Sequence, residues 1–173
     1  CDGIKYVEDI VNNSICFDEN LSIEDDYYKR YSKAYKYALD KTQQECHQAV
    51  EGMYHNLNTL QSRSGNQLPF TSINFGTCTL PEGRMVTKEI LNVSIEGLGK
   101  LHKTSIFPCS IFQCMKGVNR APGDANYDLF RLALKSTALR LYPNYVNVDW
   151  SNNAGYDKSD PKTYTSTMGK RKL

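Results

Sequence analysis

The segment "SRSGNQLPFTSINFG", residues 62–76, concentrates side chains that can hydrogen-bond a ligand. Arg63, Ser64 and Gln67 precede a run with strand propensity, and Thr71 and Asn74 lie within that run. Polar side chains in a buried strand cost roughly 1–3 kcal/mol each unless they find hydrogen-bonding partners or a ligand. The segment therefore predicts a polar binding site. An internal hydrogen-bond network without a ligand is the alternative interpretation.

The spacing of the metal-ligating residue types does not favour a metal site. Cys109 and Cys114 are separated by four residues, and the nearest second pair is Cys46 with His47, which is not a zinc-binding spacing. We interpret all six cysteines, at positions 1, 16, 46, 78, 109 and 114, as reduced thiols. The three histidines, at positions 47, 55 and 102, are interpreted as solvated or locally bonded groups.

Length and charge restrict the class of protein. At 173 residues the chain can form one domain or a piece of a larger one. Its 21 Lys and Arg against 19 Asp and Glu give no basic field for DNA binding. No apolar run reaches the roughly 20 residues that cross a bilayer. We therefore expect a soluble cytoplasmic protein without a DNA or membrane partner.

The elements that must position the polar segment begin with a long helical region. Apolar and aromatic residues recur at the helical period from Glu24 to about Gln61, which predicts one helix, or two with a break near residues 40–42. Strand-forming runs follow at residues 68–76, 103–115 and 145–150.

Two further helices are predicted between these strands. One covers residues 82–98 with Gly99 as its C-cap. The other opens at Asp124 or Asn126, stops before Pro143, and has an inward face formed by Leu129, Leu132, Ala133, Ser136, Leu139 and Leu141. Strand–helix alternation with short connections predicts a parallel sheet, whose chemistry lies beyond the carboxyl ends of the strands.

Four stretches in this order resemble the large subunit of anaerobic (class III) ribonucleoside-triphosphate reductases. They are "NTLQSRSGNQLPFTSINFGT" (58–77), "GLGKLHKTSIFPCSIFQCMKGVN" (97–119), "GDANYDLFRLALKSTALRLYPNYVN" (123–147) and "TSTMG" (165–169). The resemblance implies a ten-stranded α/β barrel of the glycyl-radical enzyme type, of which this chain supplies about half. We divide the chain into a helical segment (1–62), a strand–helix half-barrel (63–169) and a non-matching tail (170–173).

The resemblance also implies radical reduction of ribonucleoside triphosphates. In the family, an iron–sulfur activase that uses S-adenosylmethionine makes a glycyl radical, and the radical passes to a cysteine that follows "MG". Formate is the usual reductant, and a zinc site lies outside this segment. The implied partners are the activase, the rest of the reductase chain and a second copy in a homodimer. We expect substrate contacts from the set Arg63, Ser64, Gln67, Thr71, Asn74, Ser166, Thr167, Met168 and Gly169.

The position of the radical cysteine is occupied by Lys170. A lysine ammonium has no S–H bond to relay a radical, so no catalytic residue is assigned and the chain alone is expected to be inactive. We expect an intron, an intein or a homing-endonuclease insertion at this point. The alternatives are a non-catalytic remnant or interaction subunit, and a glycyl-radical enzyme with a non-nucleotide substrate.

Overall fold

The computed structural model describes residues 32–59, 70–150, 157 and 159–164. Helices and strands alternate along this part of the chain. The helices are α1 (Ser32–Thr59), α2 (Pro81–Glu96) and α3 (Tyr127–Arg140), the strands are β1 (Ser72–Phe75), β2 (Cys109–Cys114) and β3 (Asn144–Asn147), and 3-10 turns cover Val148–Trp150 and Pro161–Thr163.

The described strands form one parallel sheet in the order β1-β2-β3. Ser72 pairs with Cys109 at the start of the first ladder, and Phe75 pairs with Phe112 at its end. In the second ladder Ile111 pairs with Asn144 and Cys114 with Asn147. The predicted α/β fold with parallel strand–helix repeats is therefore confirmed for the described residues.

The described helices pack on one face of this sheet. Val50 and Tyr54 of α1 form a buried cluster with Ile90 and Val93 of α2, against which Ile73 and Phe75 pack. A second cluster joins α2 and α3 over the ring of Phe112, which is fully buried. Because side chains alternate along a strand, the residues between these apolar ones face away from the helices.

Helix α1 is continuous through residues 40–42, so the described part of the predicted long helix has no break. Tyr54 is 1% exposed, and its hydroxyl forms a hydrogen bond of 3.1 Å with the Ser110 hydroxyl of β2. Asn58 binds the segment before β2, because its Oδ1 accepts from the backbone N–H groups of Ile106 and Phe107. No described helix is long and apolar enough to span a membrane.

Several predicted boundaries differ from the observed ones. Helix α2 ends at Glu96 and its C-cap is Gly97, so the assignment of Gly99 as the cap was wrong. Strand β2 begins at Cys109 instead of residue 103, because the preceding backbone bonds to Asn58 and Pro108 has no N–H for a ladder. Strand β3 ends at Asn147, and a 3-10 turn replaces the rest of the predicted third strand.

The predicted inward face of α3 is correct at its start and wrong at its end. Leu129, Ala133 and Ser136 are buried, whereas Leu139 is 60% exposed and Leu141 82% exposed. Arg140 occupies the inward position of the last turn, one turn after Ser136. Its guanidinium donates to the carbonyls of Ile95, Glu96 and His102. The last carbonyls of α2 lack partners within the helix, and a cation at this end of the helix dipole is favourable.

A buried carboxylate joins α1 to α2. Glu89 is 2% exposed, and its oxygens accept from Gln43 Nε2 at 2.9 Å and lie 2.8 Å from His47 Nδ1. The hydrogen bond with Glu89 raises the pKa of His47, against an opposing effect of burial. Burial acts to raise the pKa of Glu89, but hydrogen bonds from His47, Gln43 and Asn92 lower it overall.

We predict that this pair makes stability depend on pH. The raised pKa of His47 contributes stability below its ordinary value of 6.5 that is lost as pH rises through the folded-state pKa. The lowered pKa of Glu89 contributes stability above its ordinary value of 4.5 that is lost as pH falls through its folded-state pKa. The free energy of unfolding, measured by urea denaturation, should therefore fall as the pH is raised above about 6.5.

The H47Q variant should be less stable than the wild type near pH 6 and should lose this alkaline decline. The control is H55Q, because His55 lies on the same helix, is more exposed and stands 4.0 Å from Glu51. An identical alkaline decline in H47Q and wild type would show that His47 does not cause it.

Candidate functional site

The face of the sheet without described helices carries neutral polar side chains. Ser72 and Asn74 of β1 lie on this face, since Ile73 and Phe75 pack towards the helices. On β2 the same face presents Ile111 and Gln113. We call these polar side chains, together with Thr77 just after β1, the polar face. Its members are Ser72, Asn74, Thr77 and Gln113. Ser72 and Asn74, the polar residues within β1, thus occupy one side of the sheet.

Two members of the polar face contact each other at the carboxyl end of the sheet. The Thr77 hydroxyl donates to Gln113 Oε1 at 3.3 Å, and Gln113 is 6% exposed. Carboxamides and hydroxyls both donate and accept hydrogen bonds. The polar face can therefore recognise an uncharged polar group such as a sugar hydroxyl. Its four side chains include no carboxylate, imidazole, amine or thiol.

Two fully buried asparagines hold the loops at this edge. Asn119 Nδ2 donates to the carbonyls of Gly76 at 3.0 Å and Gln113 at 2.8 Å, and its Oδ1 accepts from Met115 N at 2.9 Å. Asn126 Nδ2 donates to the carbonyls of Gly76 at 3.1 Å and Cys78 at 2.8 Å. These hydrogen bonds between asparagine side chains and backbone carbonyls therefore fix the loops that follow β1 and β2 to each other.

Charged side chains surround this edge and are engaged in structural contacts. Arg84 of α2 donates to Asn126 Oδ1 at 2.5 Å, to the Ala125 carbonyl, and to Asp128 at 2.9 Å. After β3, Asp149 Oδ2 accepts from Lys116 N at 2.7 Å and lies 3.4 Å from Arg120 Nη1. These contacts fix the position of the loop after β2.

The described cysteines are free thiols at positions 46, 78, 109 and 114. Cys114 ends β2 but packs towards the helices, and burial raises its pKa, so its neutral thiol form is favoured. Across the described ranges, no group of three or more His, Cys, Asp or Glu side chains is arranged to hold a metal ion.

The structure places two of the predicted site residues. Asn74 lies on the polar face and pairs in register with Ile111. Thr71 immediately precedes β1, and its carbonyl accepts from Cys109 N at 2.8 Å. The remaining predicted residues lie outside the described ranges: Arg63, Ser64, Gln67, Ser166, Thr167, Met168, Gly169 and the tail position Lys170.

Sequence reasoning missed Thr77, Gln113, Asn119 and Asn126 as individual site residues. The loops after the strands were recognised as the place where chemistry lies, and polar residues at strand ends were the signal within them. Gln113 was hidden in a run interpreted as a buried strand. The amides of Asn119 and Asn126 act on backbone groups distant in sequence, which no local pattern reveals.

The family model described as anaerobic ribonucleoside-triphosphate reductase matches residues 12–172. This span contains every described residue. The chain belongs to the anaerobic ribonucleoside-triphosphate reductase family.

Reductases of this name from bacteria and a phage are among its relatives. The chain is 40% identical over 113 residues to the proteins of Salmonella typhimurium and Escherichia coli K12, which covers 65% of this chain and 16% of each relative. It is 38% identical over 149 residues to the protein of Enterobacteria phage T4, which covers 86% of this chain and 24% of the relative. The chain therefore matches about a quarter or less of the length of these family members.

We predict that Gly76 of this family member cannot be enlarged without loss of stability. Its φ is +118°, and an added Cβ would lie 3.0 Å from the Phe112 ring and 3.2 Å from the Gln113 carbonyl oxygen. The G76A variant should lower the free energy of unfolding by about 1–3 kcal/mol more than G99A does, in urea denaturation.

Gly99 is the matched control because its φ is +63° and an added Cβ would meet no atom within 4 Å. Both variants carry a backbone cost for positive φ, which is larger at +118° than at +63°, so the difference between them reports the contact together with this added backbone strain. Equal losses would show that the close approach at Gly76 has no energetic weight.

Proposed function

We propose that this chain forms part of the catalytic barrel of an anaerobic ribonucleoside-triphosphate reductase and lines its substrate cavity. The observation that carries this proposal is the polar face at the carboxyl ends of β1 and β2, within the span matched by the family. Active sites of parallel α/β folds lie at this end of the strands. The names of the relatives supply the substrate class, ribonucleoside triphosphates.

The polar face suits the sugar or base of such a substrate. Gln113 and Thr77 are held together by their hydrogen bond, so their groups are ordered before a ligand arrives. Asn74 adds a third neutral group on the same face. The triphosphate requires cations and amide donors, which we assign to Arg63 and to the backbone of the "TSTMG" segment.

The ten-stranded barrel is the proposed setting of this site. The described sheet has its helices on one side, as the wall of an α/β barrel does, and its polar face on the other. Asn144, Tyr145 and Asn147 of β3 are exposed, so this edge can pair with another strand from the rest of the reductase. In the whole protein we also propose a homodimer.

The proposed chemistry is hydrogen-atom abstraction from the ribose, supplied by a glycyl radical that a separate S-adenosylmethionine-dependent iron–sulfur activase generates. Formate is the proposed reductant. Across the described ranges no group of donors fits the zinc of the family, which we propose to lie in the rest of the reductase. We propose that the residues of this chain bind and orient the nucleotide.

Lys170 bears on the second candidate function. The resemblance places the radical cysteine at this position. An ammonium group has no S–H bond and so cannot relay a radical as a cysteine does. The chain alone is therefore proposed to be inactive. A catalytically silent remnant or an interaction subunit is the alternative, and the lysine is the observation that favours it.

We predict that the chain binds ATP through Gln113. The Q113M variant, which keeps the length of the side chain but not its hydrogen-bonding groups, should raise the Kd for ATP about tenfold in isothermal titration calorimetry. The control is Gln43→Met on α1, remote from the polar face and bonded to Glu89. It should leave the Kd unchanged.

ATP binding should also exceed binding of lactate and glycerol. Binding of these small molecules without binding of ATP would favour a glycyl-radical enzyme with a non-nucleotide substrate. Equal ATP affinity of wild type and Q113M would exclude the proposed role of the polar face.

We predict that activity in trans depends on position 170. The chain, mixed anaerobically with a polypeptide that supplies the rest of a family reductase and with the activase, should produce no deoxyribonucleotide. The K170C variant in the same mixture should produce it, because the substitution restores the thiol. Activity of the unsubstituted chain would contradict the assignment of Lys170 to the radical position.

Sequencing the transcript across the codons for residues 165–173 separates the origins of this lysine. A spliced message that restores a cysteine codon after Gly169 would support an interrupted gene. An uninterrupted message combined with inactivity of K170C under every pairing would favour the remnant.

A further inference from the structure

The β1–β2 ladder ends before the polar contact at the carboxyl edge. The last paired residues are Phe75 and Phe112, and the next positions, Gly76 and Gln113, lie beyond the ladder. Thr77, whose hydroxyl donates to Gln113 Oε1, is one residue farther on. Backbone pairing within the sheet therefore does not hold Thr77 against Gln113.

The side chain of Asn119 bridges this gap. Its single Nδ2 group donates to the carbonyl of Gly76, the residue before Thr77, and to the carbonyl of Gln113 itself. Its Oδ1 accepts from Met115 N, and its own backbone N–H donates to the Met115 carbonyl. Asn119 is fully buried, so water does not compete for these bonds.

The neighbouring Asn126 has a different set of contacts. Its Nδ2 also donates to Gly76 O, but its second acceptor is Cys78 O, and its Oδ1 is held by Arg84. These contacts fasten the loop after β1 to the start of α3. Among the hydrogen bonds of these two amides, those of Asn119 alone join the backbones on either side of the Thr77–Gln113 contact.

We infer that Asn119 is a positioning residue of the polar face, which sets the separation of Thr77 and Gln113 and so the affinity for the nucleotide. This inference rests on the proposed function, because it takes the polar face to be a nucleotide subsite. Asn119 is not itself a member of the polar face. It acts through its hydrogen bonds to the backbone carbonyls of Gly76 and Gln113. The expected effect of its removal is displacement of Thr77 relative to Gln113.

The chain contains a matched control at the opposite end of the strands. Asn58 also bonds backbone groups, accepting from Ile106 N and Phe107 N and donating to the carbonyls of Tyr54 and Phe107. These groups precede β2, whereas the polar face lies at its carboxyl end. The N119A and N58A variants each leave backbone groups unsatisfied, so both should be less stable than the wild type.

The experiment combines two measurements on the full 173-residue chain. The Kd for ATP is measured by calorimetry, and the nuclear Overhauser effect between the Gln113 side-chain amide and Thr77 reports their separation. We expect N119A to raise the Kd about tenfold and to weaken this Overhauser effect. N58A should change neither, despite its lower stability in urea denaturation.

The outcomes separate the inference from the proposed function. Unchanged ATP affinity in N119A, with binding intact in the wild type, would overturn the inference and leave the proposed function standing. A wild-type chain that fails to bind ATP would overturn both. An equal loss of affinity in N58A would show that general stability, and not position, controls binding.

A second pair of variants addresses failure of N119A to fold. N119D keeps the size of the side chain and an acceptor for Met115 N but offers at most one donor, in its protonated form, in place of two, and N58D is its counterpart. Normal ATP affinity in a folded N119D would contradict the role of the donated bonds. A rise in Kd confined to N119D would support it.

Discussion

The carbonyl of Gly76 is the constraint around which the carboxyl edge is built. It accepts from two buried amides, Asn119 and Asn126, and so uses both of its lone pairs. Each amide also bonds a second carbonyl, which links the loops after β1 and β2 to the start of α3. An unmade bond at such a site costs about 1–3 kcal/mol, so these loops cannot shift independently. A glycine is favoured there because its φ is positive and the Phe112 ring lies 3.0 Å from the place of an added Cβ.

The one-sided helix layer places the polar face on the opposite side of the sheet. Tyr54 and Val50 fasten α1 to α2 and the sheet, and the buried Glu89 adds a charged hydrogen-bond network between the helices. Arg140 of α3 donates hydrogen bonds to the last carbonyls of α2. These contacts satisfy the helices on one side of the sheet. The opposite side carries amides and hydroxyls in a family whose relatives are named for nucleotide reduction.

The order of elements followed from sequence, whereas their ends and the site's internal bonds did not. Apolar periodicity identified α1 and α3, α2 was predicted with a glycine at its end, and strand–helix alternation correctly implied a parallel sheet. Leu139 and Leu141 were assigned inward because hydrophobicity alone does not reveal that Arg140 takes the inward position. Polar Asn74 was recognised from its strand. Asn119 could not be, since its partners, including Gly76, are brought near it only by the fold.

The polar face is neutral, so the sugar or base and the triphosphate of the proposed substrate require different parts of the chain. Ser72, Asn74, Thr77 and Gln113 are neutral, and the strands that bear them present no cation on this face. Neutral groups can be enclosed in a barrel at modest cost, whereas an unpaired charge cannot. Arg84 and Arg120 are already engaged by Asp128 and Asp149. We therefore propose that charge for the triphosphate comes from outside the described strands, and Arg63, which precedes β1 in the sequence, is the predicted candidate.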